Sequence, residues 1–156
     1  MTPTASELLI GNFMTLIEPP PPESAGEFMA GKIAVTGMIS LLLAQEMEKG
    51  VSVRAAENRA LRALFVEAAE GGWAPALTDG LKSLARGEDQ DLTLSALDRA
   101  NAALRTALIA LQTAVEEASG GAGPSAAGRA REKRIARLLR ESADARRLDL
   151  PPLPAR

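Results

Sequence analysis

The chain contains no histidine, no cysteine and no tyrosine. General acid and base work would therefore fall to carboxylates and lysine, and nucleophilic attack to Ser, Thr, Lys or a carboxylate. No disulfide, thiolate nucleophile or Cys/His zinc site is possible within one chain, nor are the Glu-x-x-His pairs of di-iron bundles. Glu46 with Glu48, or Glu67 with Glu70, could supply a carboxylate pair for a metal, but such spacings are far commoner on solvated helix faces. The acidic stretch "GEDQDLTLSALD" lacks the spacing and central glycine of a calcium loop, and Asp89 or Asp91 reads more simply as the cap of the helix that follows. "GGAGPSAAG" lacks the Gly-Lys-Ser/Thr ending of a phosphate loop and reads as a linker. The sequence points to a protein that is not an enzyme, with no cofactor and no metal.

Two polar residues stand out because of where they lie. Residues 56–66, "AENRALRALFV", and 99–109, "RANAALRTALI", align at an offset of 43 with Asn58 over Asn101, Leu61 over Leu104 and Arg62 over Arg105. In the second stretch Leu94, Leu97, Asn101, Leu104, Leu108, Leu111 and Val115 are spaced 3, 4, 3, 4, 3, 4, a heptad seam with one polar member. The comparable series around the first is Met47, Val51, Arg54, Asn58, Leu61, Phe65 and Ala68. An asparagine on such a stripe needs a partner, since burial without one costs roughly 1–3 kcal/mol. Asn58 and Asn101 are thus expected to be core polar residues, each bonded to the other, to a backbone carbonyl or to a second chain. The implied role is to fix register, in which case Asn101→Leu should stabilise the helix while loosening its pairing. Arg62 and Arg105, one residue past the seam leucines, are expected to face solvent.

Charge is distributed unevenly. Residues 1–128 hold nine basic and sixteen acidic side chains, and residues 129–156 hold nine basic and four acidic. The segment "RAREKRIARLLRESADARRL" carries a narrow apolar edge of Ile135, Leu138, Leu139 and Ser142 among its arginines. Arg131, Arg134, Ile135, Arg137, Leu138, Leu139 and Arg140 are the partner-binding candidates, docking on an acidic bundle of the same chain, on a second copy or on another protein. The segment lacks the interleaved aromatics of a nucleic-acid surface and the Trp or Phe of a membrane-surface helix, so neither partner is expected. A truncation at residue 120 would then remove the contact element and leave the bundle.

These side chains must be positioned by helices. Hydrophobic residues make up 46% of the 156-residue chain but aromatic ones only 3%, a balance that favours Leu- and Ala-rich helices over sheet. The expected fold is all-α, an antiparallel bundle of four to five main helices with a short N-terminal arm helix and a C-terminal basic helix. The arm covers residues 1–18, where Thr4 and Glu7 can form a capping box ahead of Leu8, Leu9, Phe13, Leu16 and Ile17. "EPPPPE" stops it. The bundle core covers 24–119, its first helix opening at a second capping box of Ser24 and Glu27 and stopping at Gly50, and its second running from about Ser52 to Ala69. Leu77, Leu81 and Leu84 mark a short helix closed by Gly87. Residues 120–128 form the linker, 129–148 the basic helix and 149–156 a Pro-rich tail. Trp73 should plug a bundle end with its N–H on a loop carbonyl. The 12-residue apolar run 33–44 falls short of the roughly 18 needed to span a bilayer and is expected to be a buried helix of a soluble protein. The opening residues lack the basic start of a secretory signal, and the absence of cysteine fits the cytoplasm. The function expected is that of an adaptor, chaperone-like or assembly protein, a homodimer working through protein contacts. The alternative is a helical domain binding a small hydrophobic ligand or a carboxylate-held metal.

Overall fold

The protein is all-α. The structure, a computed structural model, describes residues 3–17, 22–118 and 126–149. Among these there are five α-helices and no strand. They are α1 (Ala5–Ile17), α2 (Ala25–Ala68), α3 (Pro75–Ala85), α4 (Leu94–Ala118) and α5 (Ala126–Arg146).

α2 is longer than the sequence suggests. Where the sequence suggests two helices parted at Gly50, the chain runs as one helix of 44 residues. A glycine ends a helix by taking a left-handed backbone conformation, and Gly72, at φ 74°, is the only described residue with a positive φ. Gly50 stays helical and buried. Gly26, Gly31 and Gly37 each lower helix stability by up to about 1 kcal/mol relative to Ala without breaking it. The helix stops instead at "EGGW", where Gly71 N–H reaches back to Ala68 O across 2.9 Å.

The chain divides into two compact units, 1–50 with 146–156, and 51–145. These bounds do not coincide with the sequence-based division into arm, core, linker, basic helix and tail. Residues 119–125, most of the expected linker, and 150–156, most of the expected tail, lie outside the described residues, and α5 begins at Ala126.

The unit of residues 51–145 has the conventional interior. Leu61, Leu64, Phe65 and Ala68 of α2 meet Leu81 of α3, Leu104, Leu108, Leu111 and Val115 of α4, and Ile135 of α5. The α4 seam turns inward from Leu97 onward. Along α2 the stripe is buried from Arg54 to Ala68, whereas Met47 and Val51 before it are exposed. Pro75 begins α3, where its missing N–H costs nothing. Thr93 caps α4, its hydroxyl accepting from Ala96 N–H.

In the other unit, Glu7 accepts from the N–H of Thr4 at 2.7 Å and Glu7 N–H donates to Thr4 Oγ1, a reciprocal capping box. Leu8 is buried, but Leu9 and Phe13 of the same expected face are exposed. The Leu16 and Ile17 side chains lie outside the description. The run 33–44 is helical but not buried, since none of its twelve residues falls below the intermediate range of exposure. The expectation of a buried helix is therefore corrected.

Candidate functional site: the buried amides, the basic helix and the apolar arm

The two asparagines meet. Asn101 Nδ2 donates to Asn58 Oδ1 at 2.9 Å. Asn58 Nδ2 in turn donates to Leu97 O at 3.3 Å and lies 3.2 Å from both carboxylate oxygens of Asp89. Those neighbours can only accept, which settles which end of the Asn58 amide carries nitrogen. Asn58 has no exposed surface and Asn101 is buried. The amides thus belong to a chain of bonds linking α2, α4 and the 86–93 connection. A pure register device would predict that Asn101→Leu stabilises the fold. With Asn58 committed to three acceptors, that expectation reverses, because the substitution strips Asn58 Oδ1 of its donor.

Arg62 does not face solvent as the sequence suggested. Its Nη2 donates to Asp89 Oδ1 at 2.6 Å, and both side chains are largely buried. The Arg62 bond, aided by Asn58 and by the charges of Arg62 and Arg59, holds the Asp89 carboxyl below its ordinary value of 3.8 against the opposing effect of burial. Asp89 accordingly serves this network, not the cap of α4. Asp91 accepts from Thr93 N–H at 2.9 Å, which lowers its pKa and steadies the capping threonine.

Arg105 is half exposed, yet its Nε and Nη2 fork onto Glu57 Oε1 at 2.9 and 2.6 Å. Glu57 is buried, and Ser142 of α5 accepts a third, longer bond from the same guanidinium. Arg54, also buried, donates to Asp98 at 2.7 Å. Sequence reasoning singles out Arg62 and Arg105 but turns Arg62 to the wrong side and misses the acidic partners of both. The available signal was that Glu57 adjoins Asn58, so once Asn58 faces α4, Glu57 lies beside the path of Arg105, four residues after Asn101.

The seven residues proposed for partner binding divide. Ile135 is in the core and Leu138 packs against it. Arg131 stacks over Trp73 at 4.9 Å from the ring centroid, and Arg134 pairs with Glu67. Arg137, Leu139 and Arg140 are exposed. Ile135, Leu138 and Ser142 of the apolar edge are thus committed to the protein's own body while Leu139 stays exposed, and a truncation at residue 120 would open the core. Trp73 donates its ring N–H to Ala68 O, the last residue of α2, at 2.7 Å.

In the unit of residues 1–50, Leu8 alone of the described apolar side chains is buried. Leu9, Ile10, Phe13 and Met14 of α1, and Met29, Ile33, Val35, Leu41 and Met47 of α2, are all exposed, Ile33 by 70%. What the unit buries includes Lys32 and Glu46.

The concavities are small or open. One between α2 and α5, lined by Val53, Ala60, Leu138 and Ala145 among others, holds about 220 Å³, below the roughly 300–1,000 Å³ of small-molecule sites. No three acidic side chains gather as a metal site among the described residues. No protein-family model, no curated protein and no solved structure matches the chain.

Proposed function

We propose that the protein is a non-enzymatic helical scaffold that acts by binding, with the unit of residues 51–145 as its stable body and the N-terminal arm as its contact element. Here the arm means α1 together with residues 25–50 of α2. The observation that carries this reading is the row of nine exposed large apolar side chains from Leu9 to Met47. So much apolar surface left open marks an interaction site, and the basic helix, which commits Ile135 and Leu138 to its own core, is the weaker candidate.

The bonded amides, the arginine–carboxylate pairs and the Trp73 ring N–H on Ala68 O all support a rigid body. They tie polar and charged groups to internal partners. The test compares the full chain with a Phe13→Asp, Ile33→Asp double variant by sedimentation and by cell fractionation. The unaltered chain should be recovered in an assembled or particulate form and the variant as a free monomer of unchanged helicity. A free, monomeric unaltered chain would sink the reading.

A further inference from the structure

We infer that the arm lodges in the hydrocarbon layer of a lipid bilayer, with residues 28–45 of α2 as the inserted segment. This rests on the contact-arm reading and names the partner. The decisive feature is an inversion of polarity. In water a folded unit turns apolar groups inward and leaves charges outside. This one exposes Ile33, Val35, Leu41, Phe13 and Ile10 while enclosing Lys32 and Glu46. Lys32 is the only charged residue between Glu27 and Glu46, and its ammonium is folded over the Phe28 ring, 5.0 Å from the centroid. Charge within and hydrocarbon without is the arrangement a lipid solvent demands.

The direction of the exposed groups separates lipid from a second protein copy. At about 100° per residue, Met29, Ile33, Leu41 and Val35 together sweep about two thirds of the helix circumference. One docked partner covers a single stripe; a helix apolar nearly all round needs a surrounding apolar medium. By length and composition α2 contains an 18-residue window able to cross a membrane, and only 6% of that window is buried within the protein. A core helix of a soluble protein passes the same composition test but is mostly buried, and this window is not. Residues 28–45 rise about 27 Å as a helix, against a hydrocarbon thickness of about 30 Å, and Glu46, Glu48 and Lys49 follow at once.

Polar side chains in the arm are also directed onto the helices themselves. Ser40 Oγ donates to Thr36 O at 2.8 Å and receives Asn12 Nδ2 from α1, and Thr15 Oγ1 donates to Gly11 O. In hydrocarbon, polar groups must be satisfied internally in this way; Asn12 Oδ1 and Thr36 Oγ1, enclosed in the same unit, are the exceptions and have no hydrogen-bond partner among the described residues. Gly11, Gly26, Gly31 and Gly37 meet nothing within 4 Å of an added Cβ.

The test is flotation of the full chain with vesicles of phosphatidylcholine alone, a zwitterionic lipid chosen so that the arginines of α5 supply no attraction. The chain should float with the vesicles and resist a high-salt wash. An Ile33→Lys, Val35→Lys double variant should partition at least about tenfold less, while unchanged Trp73 emission shows that the body is intact. A chain that stays at the bottom of the gradient as an oligomer, and that the same double variant dissociates, overturns the lipid assignment and leaves the contact-arm reading standing. A chain that neither floats nor associates overturns both.

Discussion

Asn101 donates its amide hydrogen to Asn58 Oδ1 across 2.9 Å in the interior of the bundle, joining α4 to α2 at positions 43 residues apart in sequence. Because Asn58 also donates to Leu97 O and Asp89, removing Asn101 leaves one acceptor orphaned and disturbs two further bonds. Asn101→Ala should lower stability by about 1–3 kcal/mol, read from urea unfolding. Adding Asn58→Ala should cost less than the sum of the two single changes, since one bond cannot be lost twice.

Acid sensitivity should trace in part to Asp89. Its carboxyl titrates below 3.8 in the folded protein, chiefly because Arg62 donates to it. A lowered folded pKa contributes stability that is fully present above the unfolded value of about 3.9 and is lost as pH falls through the folded value. Asp89→Asn should therefore be less stable than the unaltered protein at neutral pH. The two unfolding midpoints should converge as the pH is taken below about 3.8. Curves that stay parallel throughout would show that Asp89 is not the group responsible.

The arginine pairs of the body differ in worth. Arg105→Met leaves the Glu57 carboxylate buried without its fork, a loss of about 3–5 kcal/mol if Glu57 stays ionised. Arg134→Met removes an exposed pair with Glu67 and should change stability by no more than about 1 kcal/mol. Thermal melts of the two variants side by side check the order.

Glycines in the two units should respond oppositely to alanine. A Cβ at Gly71 would lie 2.5 Å from Trp73 Nε1, so Gly71→Ala must displace the ring from Ala68 O and from Arg131. Red-shifted emission from the sole tryptophan and a loss of about 1–3 kcal/mol are expected. Gly37→Ala meets open space within a helix and should raise helix stability by roughly 0.5–1 kcal/mol.

Much of the body could be read from spacing. The seven-residue count placed Leu97, Asn101, Leu104, Leu108, Leu111 and Val115 on one stripe, and those six side chains are buried together. Helical periodicity reports which residues share a face, and where neighbouring helices exist that face finds them. The same logic could not show what covers a face, so the apolar residues 33–44 were assigned a burial they do not have. The length of α2 was obscured because Gly50 resembles a stop, although a stop depends on backbone angles that composition does not carry. Asp89 reads as a cap in the sequence because capping residues and charge partners are chemically the same groups. Only the position of Thr93, which caps α4 itself, leaves Asp89 free for Arg62.

The unit of residues 1–50 is closed by a late arrival. Gln45 offers its side-chain amide like a short piece of strand, donating to Asp149 O at 2.7 Å and accepting from Asp149 N–H at 2.8 Å. Lys49 donates to Arg147 O beside it. These partners are separated by nearly the whole body in sequence, so a chain growing from its N-terminus must synthesise and release residues 51–145 before that closure can form. Closing so long a loop is also entropically dearer than any local step. Assembly order is thereby written into the topology: the body can consolidate first, and the arm waits, with its apolar side chains uncommitted, for residues 147–149 to emerge.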